Sequence, residues 1–293
     1  MGKIRKLAVL ILAHKDVDQL NRLIVAMQHP DVDIYVHIDV KRDASFRKRV
    51  KTGCWILPDG ESENITWGDI GMPRATIKLM RHAAGNADYE HMLLISGQDY
   101  PVRPISALLD RIDGCGDFLD IVGGSQFESR YALYYPQWMI GKGALKRPFR
   151  GFYKYLGMGP LKGLLQRKGL PSGRYYSGSS WWILRGVVAD WILREIDREP
   201  IWLAFYSNSL NPDEGLFQTI YMNSPFAGQN EGILTYIDWS SSGPSPEVLT
   251  KKDYESIVRS GKFFARKMES GVSDDLLDQI DGAIERENER VIF

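Results

Sequence analysis

Cysteine is scarce: the 293 residues hold two, Cys54 and Cys115. They lie far apart, with no CxxC pair and no histidine spacing around them, which excludes a disulfide scaffold and a zinc site. Net charge is missing as well. Lysine plus arginine number 37 and aspartate plus glutamate 37, so a role that coats nucleic acid through bulk charge is excluded. No apolar run reaches the ~18 residues that a membrane span needs. Leu7 to Ala13 follows Lys3, Arg5 and Lys6 in the manner of a signal peptide, but it is short, lacks a small-x-small cleavage site and passes directly into His14, Lys15 and Asp16. It reads as a buried first strand, and a cytoplasmic, reduced protein is expected. Internal repeats and low-complexity tails are also absent.

What is present suits a folded α/β domain. Apolar residues make up 44% and charged residues 25% of the chain, enough for a core. The charges are segregated. From Lys142 to Lys168 the basic residues Lys142, Lys146, Arg147, Arg150, Lys154, Lys162, Arg167 and Lys168 occur without an acidic one, whereas Glu269, Asp274, Asp275, Asp278, Asp281 and Glu285 crowd the tail. The first stretch could face an anionic partner or simply be a solvated surface.

Hydrophobic periodicity alternates strand and helix. The run Leu7 to Ala13 is a strand; Asp16 then caps a helix with Val17, Leu20, Ile24 and Met27 at helical spacing. His29-Pro30 ends that helix, and 34–38 is a second strand, giving a parallel βαβ unit. A helix from Pro73 to Ala84, a strand at 91–95, a helix at 105–112, a strand at 117–122 and helices at 186–196 and 213–222 follow. The stretch 141–175 holds many Gly, Pro, Lys and Arg residues and no strand signal, so it reads as a basic loop excursion. No linker divides the chain, and one domain spanning 1–293 is expected.

In an open parallel sheet, ligands bind beyond the carboxyl ends of the strands. Three such ends are polar: Ala13-His14-Lys15, His37-Ile38-Asp39, and Ser96-Gly97-Gln98-Asp99-Tyr100-Pro101. Taken singly, His14 and Asp39 suit capping as well as ligand contact. Ser177-Gly178-Ser179-Ser180-Trp181-Trp182 sets aromatics beside hydroxyls, which suits a sugar; a Trp pair buried in the core is the competing account. Asn211-Pro212-Asp213-Glu214 places two carboxylates at a helix start. Dipole compensation explains Asp213, while Glu214 could also act as a general base. In Phe263-Phe264-Ala265-Arg266-Lys267 either cation could neutralise a diphosphate, or the stretch is a solvated helix face. A glycoside hydrolase using Asp213 and Glu214 is disfavoured, since adjacent helical residues point about 100° apart and cannot flank one bond.

Taken in order, these segments resemble the core 2/I-branching β-1,6-N-acetylglucosaminyltransferases and their xylosyltransferase relatives. The resemblance runs through Ile11-Leu12-Ala13-His14-Lys15-Asp16, Tyr35-Val36-His37-Ile38-Asp39, Leu94-Ile95-Ser96-Gly97-Gln98-Asp99-Tyr100-Pro101, Ser177-Gly178-Ser179-x-Trp181-Trp182, Pro212-Asp213-Glu214-x-x-Phe217-Gln218-Thr219 and Phe264-Ala265-Arg266-Lys267, from about Val9 to Met268. It implies a GT-A-type, Rossmann-like fold with a mixed, mostly parallel sheet flanked by helices. It also implies inverting transfer of a sugar such as GlcNAc or xylose from a UDP-sugar to a hydroxyl of a glycan or glycolipid acceptor.

Glu214 matches the family's base. Ala13, His14, Asp39 and Trp67 match donor-nucleotide contacts, Lys267 with Arg266 the diphosphate side, and Asp99, Ser179, Trp181, Trp182 and Asp213 the sugar and acceptor side. The resemblance to the core 2 branch implies that no metal or other cofactor is needed, basic side chains taking the metal's place; in keeping with it, Asp16-x-Asp18 and Asp31-x-Asp33 stand away from the strand at 91–95 where a metal motif would be expected. Two departures stand out. Thr235 follows Leu234 where relatives carry an arginine on the second phosphate, so a cation from Lys142–Lys168 or Arg266 is expected to replace it. Ser180 stands where the peptide xylosyltransferases carry Asp, which disfavours protein O-xylosylation. The two isolated cysteines and the early start of the fold suggest a bacterial relative in surface polysaccharide synthesis, touching the inner membrane peripherally at most. A catalytically silent nucleotide- or glycan-binding relative is the alternative.

Overall fold

The structure, a computed structural model, describes residues 5–42, 44–123, 128–167, 174–241 and 245–292. Strand β1 (Arg5–Ala13) is at its centre because its apolar run serves two layers at once. Successive side chains of a strand point to opposite faces, so Leu7, Val9, Ile11 and Ala13 enter one core while Ala8, Leu10 and Leu12 enter another. β2 (Val32–Ile38) and β4 (Tyr89–Ser96) flank it in parallel. β3 (Trp55–Ile56) extends the sheet beyond β2. On the other side β7 (Trp182–Arg185) runs antiparallel to β4, and β6 (Phe118–Leu119) antiparallel to β7, giving the order β3-β2-β1-β4-β7-β6.

Helices cover both faces. Val17–Ala26 starts at Asp16, whose carboxylate accepts the Gln19 amide at 3.1 Å, and it buries Val17, Leu20, Leu23 and Ile24. The helices Gly71–Asn86 and Gly186–Arg198 pack on the opposite face. Gly186 joins β7 to its helix so closely that a Cβ there would lie 1.9 Å from the Tyr89 carbonyl oxygen. Gly186→Ala is therefore expected to cost about 3 kcal/mol and to lower the melting temperature by roughly 5–10 °C, read by thermal unfolding.

The mixed, largely parallel sheet agrees with the sequence reading, but several elements differ. The strand expected at 117–122 is only Phe118–Leu119. The stretch 213–222 breaks into a 3-10 turn, Pro212–Glu214, and a helix, Leu216–Met222. The excursion at 141–175 carries a regular helix, Lys146–Met158, and a short one, Lys162–Leu165; residues 168–173, Lys168 among them, lie outside the described residues. A second sheet, β5 (Asp99–Pro101), β9 (Phe264–Arg266) and β8 (Thr235–Ile237), went unforeseen. Phe264-Ala265-Arg266 is thus a strand, with Phe264 and Ala265 buried, and not a solvated helix face.

The acidic tail is a helix, Asp274–Ile292, docked on the first helix. Arg22 reaches Asp278 at 2.7 Å and Asp281 at 2.6 Å, and the Tyr100 hydroxyl donates to Asp281 at 2.7 Å. Among the described residues, no helix is long and apolar enough to cross a membrane.

Candidate functional site

Three strand ends meet on one edge of the main sheet. The register pairs Ala13 with Ile38 and Leu12 with Ser96. The Asp39 amide donates to the Ala13 carbonyl and the Gly97 amide to the Leu12 carbonyl, each at 3.0 Å. Asp39 is buried, and one of its oxygens accepts the Lys41 amide at 2.9 Å, a turn that fixes the carboxylate just past β2. His14 follows β1. Desolvation first, and then the charges of Lys15, Arg42 and Lys267, push its imidazole pKa down. Three cations therefore surround the end of β1.

Glu269 holds two of them. One carboxylate oxygen lies 2.6 Å from Lys15 Nζ and 3.4 Å from Lys267 Nζ, and it also accepts the Gln98 side-chain amide at 3.1 Å. The Lys15 hydrogen bond comes first among the contacts that hold the Glu269 carboxyl below its usual range. A carboxylate between two ammonium groups marks a place where an anion is favoured.

A second group forms around Glu214. Asn211 adopts left-handed backbone (φ 49°, ψ 58°), which asparagine tolerates, and its amide donates to the Gly68 carbonyl at 3.2 Å. The turn that follows is clamped from the other side. The Glu214 carbonyl accepts from the Gly178 amide at 2.9 Å, the Ser177 hydroxyl at 2.8 Å and the Tyr131 hydroxyl at 3.4 Å. A Cβ at 215 would come within 2.3 Å of that same Tyr131 oxygen. The carboxylate itself is partly exposed and meets Arg130 Nη1 at 2.5 Å.

Asp213 faces the other way and accepts the Ser180 hydroxyl at 2.7 Å. Desolvation, helped by the Glu214 charge, pushes its carboxyl up to about 6. A folded-state value above the ordinary 3.8 means that stability is lost as pH rises from about 4 through about 6. Asp213→Asn keeps an oxygen for Ser180. It is expected to be more stable than the parent at pH 7 by about 1–2 kcal/mol and to lose that advantage below pH ~4, as denaturant unfolding at the two pH values will show.

Between the two groups lies a contact made by their chain neighbours. The Arg266 guanidinium lies over the Trp181 ring, 4.6 Å from its centroid, with Lys267 and Ser180 as their chain neighbours. This corrects the reading of Arg266 as a free diphosphate ligand: its side chain is only 14% exposed and sits 3.7 Å from Asp99. Asp99 is fully buried, and its Oδ2 accepts from the Ser96 amide and hydroxyl at 2.8 and 2.5 Å, which ties that oxygen to the end of β4. Trp182 is also a core residue, 3% exposed and packed on Phe217 with ring centroids 5.5 Å apart. Trp181 is the member of the pair left partly open. Ser179 is partly open too, with its amide on Asp120 Oδ2 at 2.9 Å and its carbonyl accepting from Gln218 at 2.7 Å.

Trp67 is 46% exposed, and Lys142 Nζ stands 6.0 Å from its ring centroid. Other cations of the basic stretch are turned inward: Lys146 donates to Ile140, Arg150 to Met139 and Gly141, and Arg167 to Phe205. Thr235 pairs with Phe264 across the second sheet. Asp16 is committed to its helix cap and to Ser270, Asp18 to Arg49, and Asp33 to Tyr89. Among the described residues, no group of three or more His, Cys, Asp or Glu side chains is placed to hold a metal ion.

The profile of the Core-2/I-Branching enzymes matches residues 7–145 and 153–259. The chain belongs to the Core-2/I-Branching enzyme family. Curated relatives include xylosyltransferase 2 of Rattus norvegicus, 22% identical over 96% of this chain and 34% of that protein, and xylosyltransferase 2 of Homo sapiens, 24% identical over 94% and 33%. Xylosyltransferase 1 of Canis lupus familiaris is 22% identical over 93% and 30%. The chain thus spans about a third of the length of these relatives. Among solved structures, HddC from Yersinia pseudotuberculosis is 15% identical and covers 62% of this chain and 78% of its own with a TM-score of 0.31, too slight a likeness to bear on function.

Within the Core-2/I-Branching match lie Ala13, His14, Asp39, Trp67, Ser179, Trp181, Asp213 and Glu214, whereas Lys267 and Glu269 fall beyond it. Sequence reasoning missed Arg130, Arg42 and the bridging part of Glu269. Arg130 carries no local signal, being 84 positions from the carboxylate that it meets.

Proposed function

We propose that the chain is an inverting glycosyltransferase with a GT-A-type site, moving a sugar from a UDP-sugar to a hydroxyl of a glycan or glycolipid acceptor. The observation that carries this reading is the Arg266–Trp181 contact, which ties a cationic strand end to a clamped, partly exposed carboxylate. Such a pair of groups suits displacement at an anomeric carbon. The Glu214 carboxylate removes the proton of the attacking hydroxyl on one side. On the other, Lys267, with Lys15 and Arg42 close by, meets the charge that grows on the departing diphosphate. Ala13, His14 and Asp39 at the strand ends are the nucleotide contacts, with Trp67 at the rim; Trp181, Ser179 and Asp213 line the sugar side. Lys142, beside Trp67, takes the part of the second phosphate cation that Thr235 cannot play. Family membership and the xylosyltransferase relatives support transfer of a glycosyl group; GlcNAc and xylose are the donors to try first, and bacterial surface polysaccharide is the setting proposed.

The test is UDP release over a panel of UDP-sugars, with and without EDTA. Release with one donor, unchanged by chelation, is the expected result. Loss of release on chelation overturns the metal-free leaving-group step. UDP binding with no release from any donor turns the reading to a silent nucleotide-binding relative.

A further inference from the structure

The excursion that borders Trp67 has an outer face that none of the described residues covers. The Lys146–Met158 helix turns Lys146, Arg150, Tyr153 and Gly157 toward the body. This spacing of three and four residues is one helical face, and a Cβ at 157 would meet Leu133 at 2.5 Å. The adjacent face carries Phe149, Phe152 and Tyr155, exposed by 47, 60 and 68%, with Leu145 at 84% just ahead of it. Trp138, 58% exposed, extends the patch through an edge contact with Phe149 at 5.2 Å, and Leu164 at 77% follows in the next short helix.

Cations frame this apolar face: Lys142, Arg147, Lys154 and Lys162 are all exposed. The sequence has no Asp or Glu between Glu128 and Asp190, so no acidic side chain of that stretch offsets them. Large aromatics and leucines in contiguous exposure mark an interaction surface. The leucines offer no hydrogen bonds and favour hydrocarbon over a polar polymer. An apolar helical face flanked by lysine and arginine is the pattern that lies in a bilayer interface, aromatics at headgroup depth and cations against anionic lipid. The profile match skips 146–152, the first half of this helix.

We propose that the outer face of 138–164 docks the protein on an anionic lipid bilayer, with Phe149, Phe152 and Tyr155 entering the interface. This stands apart from the transfer reaction and is tested without it. The intact chain is sedimented with vesicles of phosphatidylcholine mixed with phosphatidylglycerol and with vesicles of phosphatidylcholine alone, at low and high salt, while UDP binding is measured in parallel. The expected result is binding to the anionic vesicles that weakens with salt. It should fall roughly tenfold or more in Phe152→Ser/Tyr155→Ser and again in Arg147→Glu/Lys154→Glu, with UDP affinity and circular dichroism unchanged. Absence of binding to the anionic vesicles overturns the proposal, and so does binding that these variants leave intact. Self-association of the parent that Phe152→Ser/Tyr155→Ser abolishes, without vesicle binding, assigns the face to a second copy and overturns it too.

Discussion

Glu214→Gln is expected to lower the turnover of sugar transfer by about 10²–10⁴-fold while leaving UDP affinity within about twofold. The amide has the shape of the carboxylate but cannot accept a proton from the acceptor hydroxyl. Geometry gives this substitution a clean readout. Three hydrogen bonds hold the residue through its backbone carbonyl, not its side chain, so the turn persists when the side-chain charge is removed. The side chain's ion pair with Arg130 is partly exposed and its loss costs little stability. The check is kcat and KM for the donor that releases UDP, alongside calorimetric UDP binding. Turnover at the parental rate removes Glu214 as the base.

Lys267→Ala should rank second in effect, with a fall in kcat of about 10²–10³-fold. Here the partition between binding and chemistry matters. The diphosphate gains charge as the glycosidic bond breaks, so a fixed ammonium interacts more strongly with the transition state than with the bound donor. The kcat loss should therefore exceed the loss in UDP affinity. Lys267→Arg should recover part of the rate because the charge is kept. If instead Lys267→Ala weakens UDP binding and leaves kcat alone, the lysine holds the donor and takes no part in departure of the leaving group.

The sequence was most informative where physics is local. The run at the start of the chain has strand length and no polar interruption, which requires burial on both faces, and β1 feeds two cores. Asp16 before a helical repeat was legible for the same reason, since a cap acts over three residues. The Glu214 turn was likewise marked by proline and paired carboxylates. Failures arose where the meaning of a residue depends on a distant partner. Arg266 looked like a surface cation because its neighbours Phe263 and Phe264 fit a helix face as well as a strand. Only the register of β9 on β5, which sets Arg266 opposite Asp99, shows the pair to be internal. Trp181 and Trp182 could not be told apart until burial separated them: Trp182, the first residue of β7, is 3% exposed, whereas Trp181 just before the strand stays partly open.

The two faces of the central sheet also divide the proposed chemistry. Phe264, Ala265 and Met268, which flank Lys267, belong to one buried layer; Tyr131, Leu216 and Phe217, around Glu214, belong to the other. On the proposed roles, proton removal and leaving-group departure would rest on separate buried layers, and a void in one layer is expected to blunt one half-task more than the other. Defects in both layers add as free energies when the layers are independent. A departure from that sum measures how strongly the layers are coupled, through β1, which feeds both, and through the Arg266–Trp181 contact.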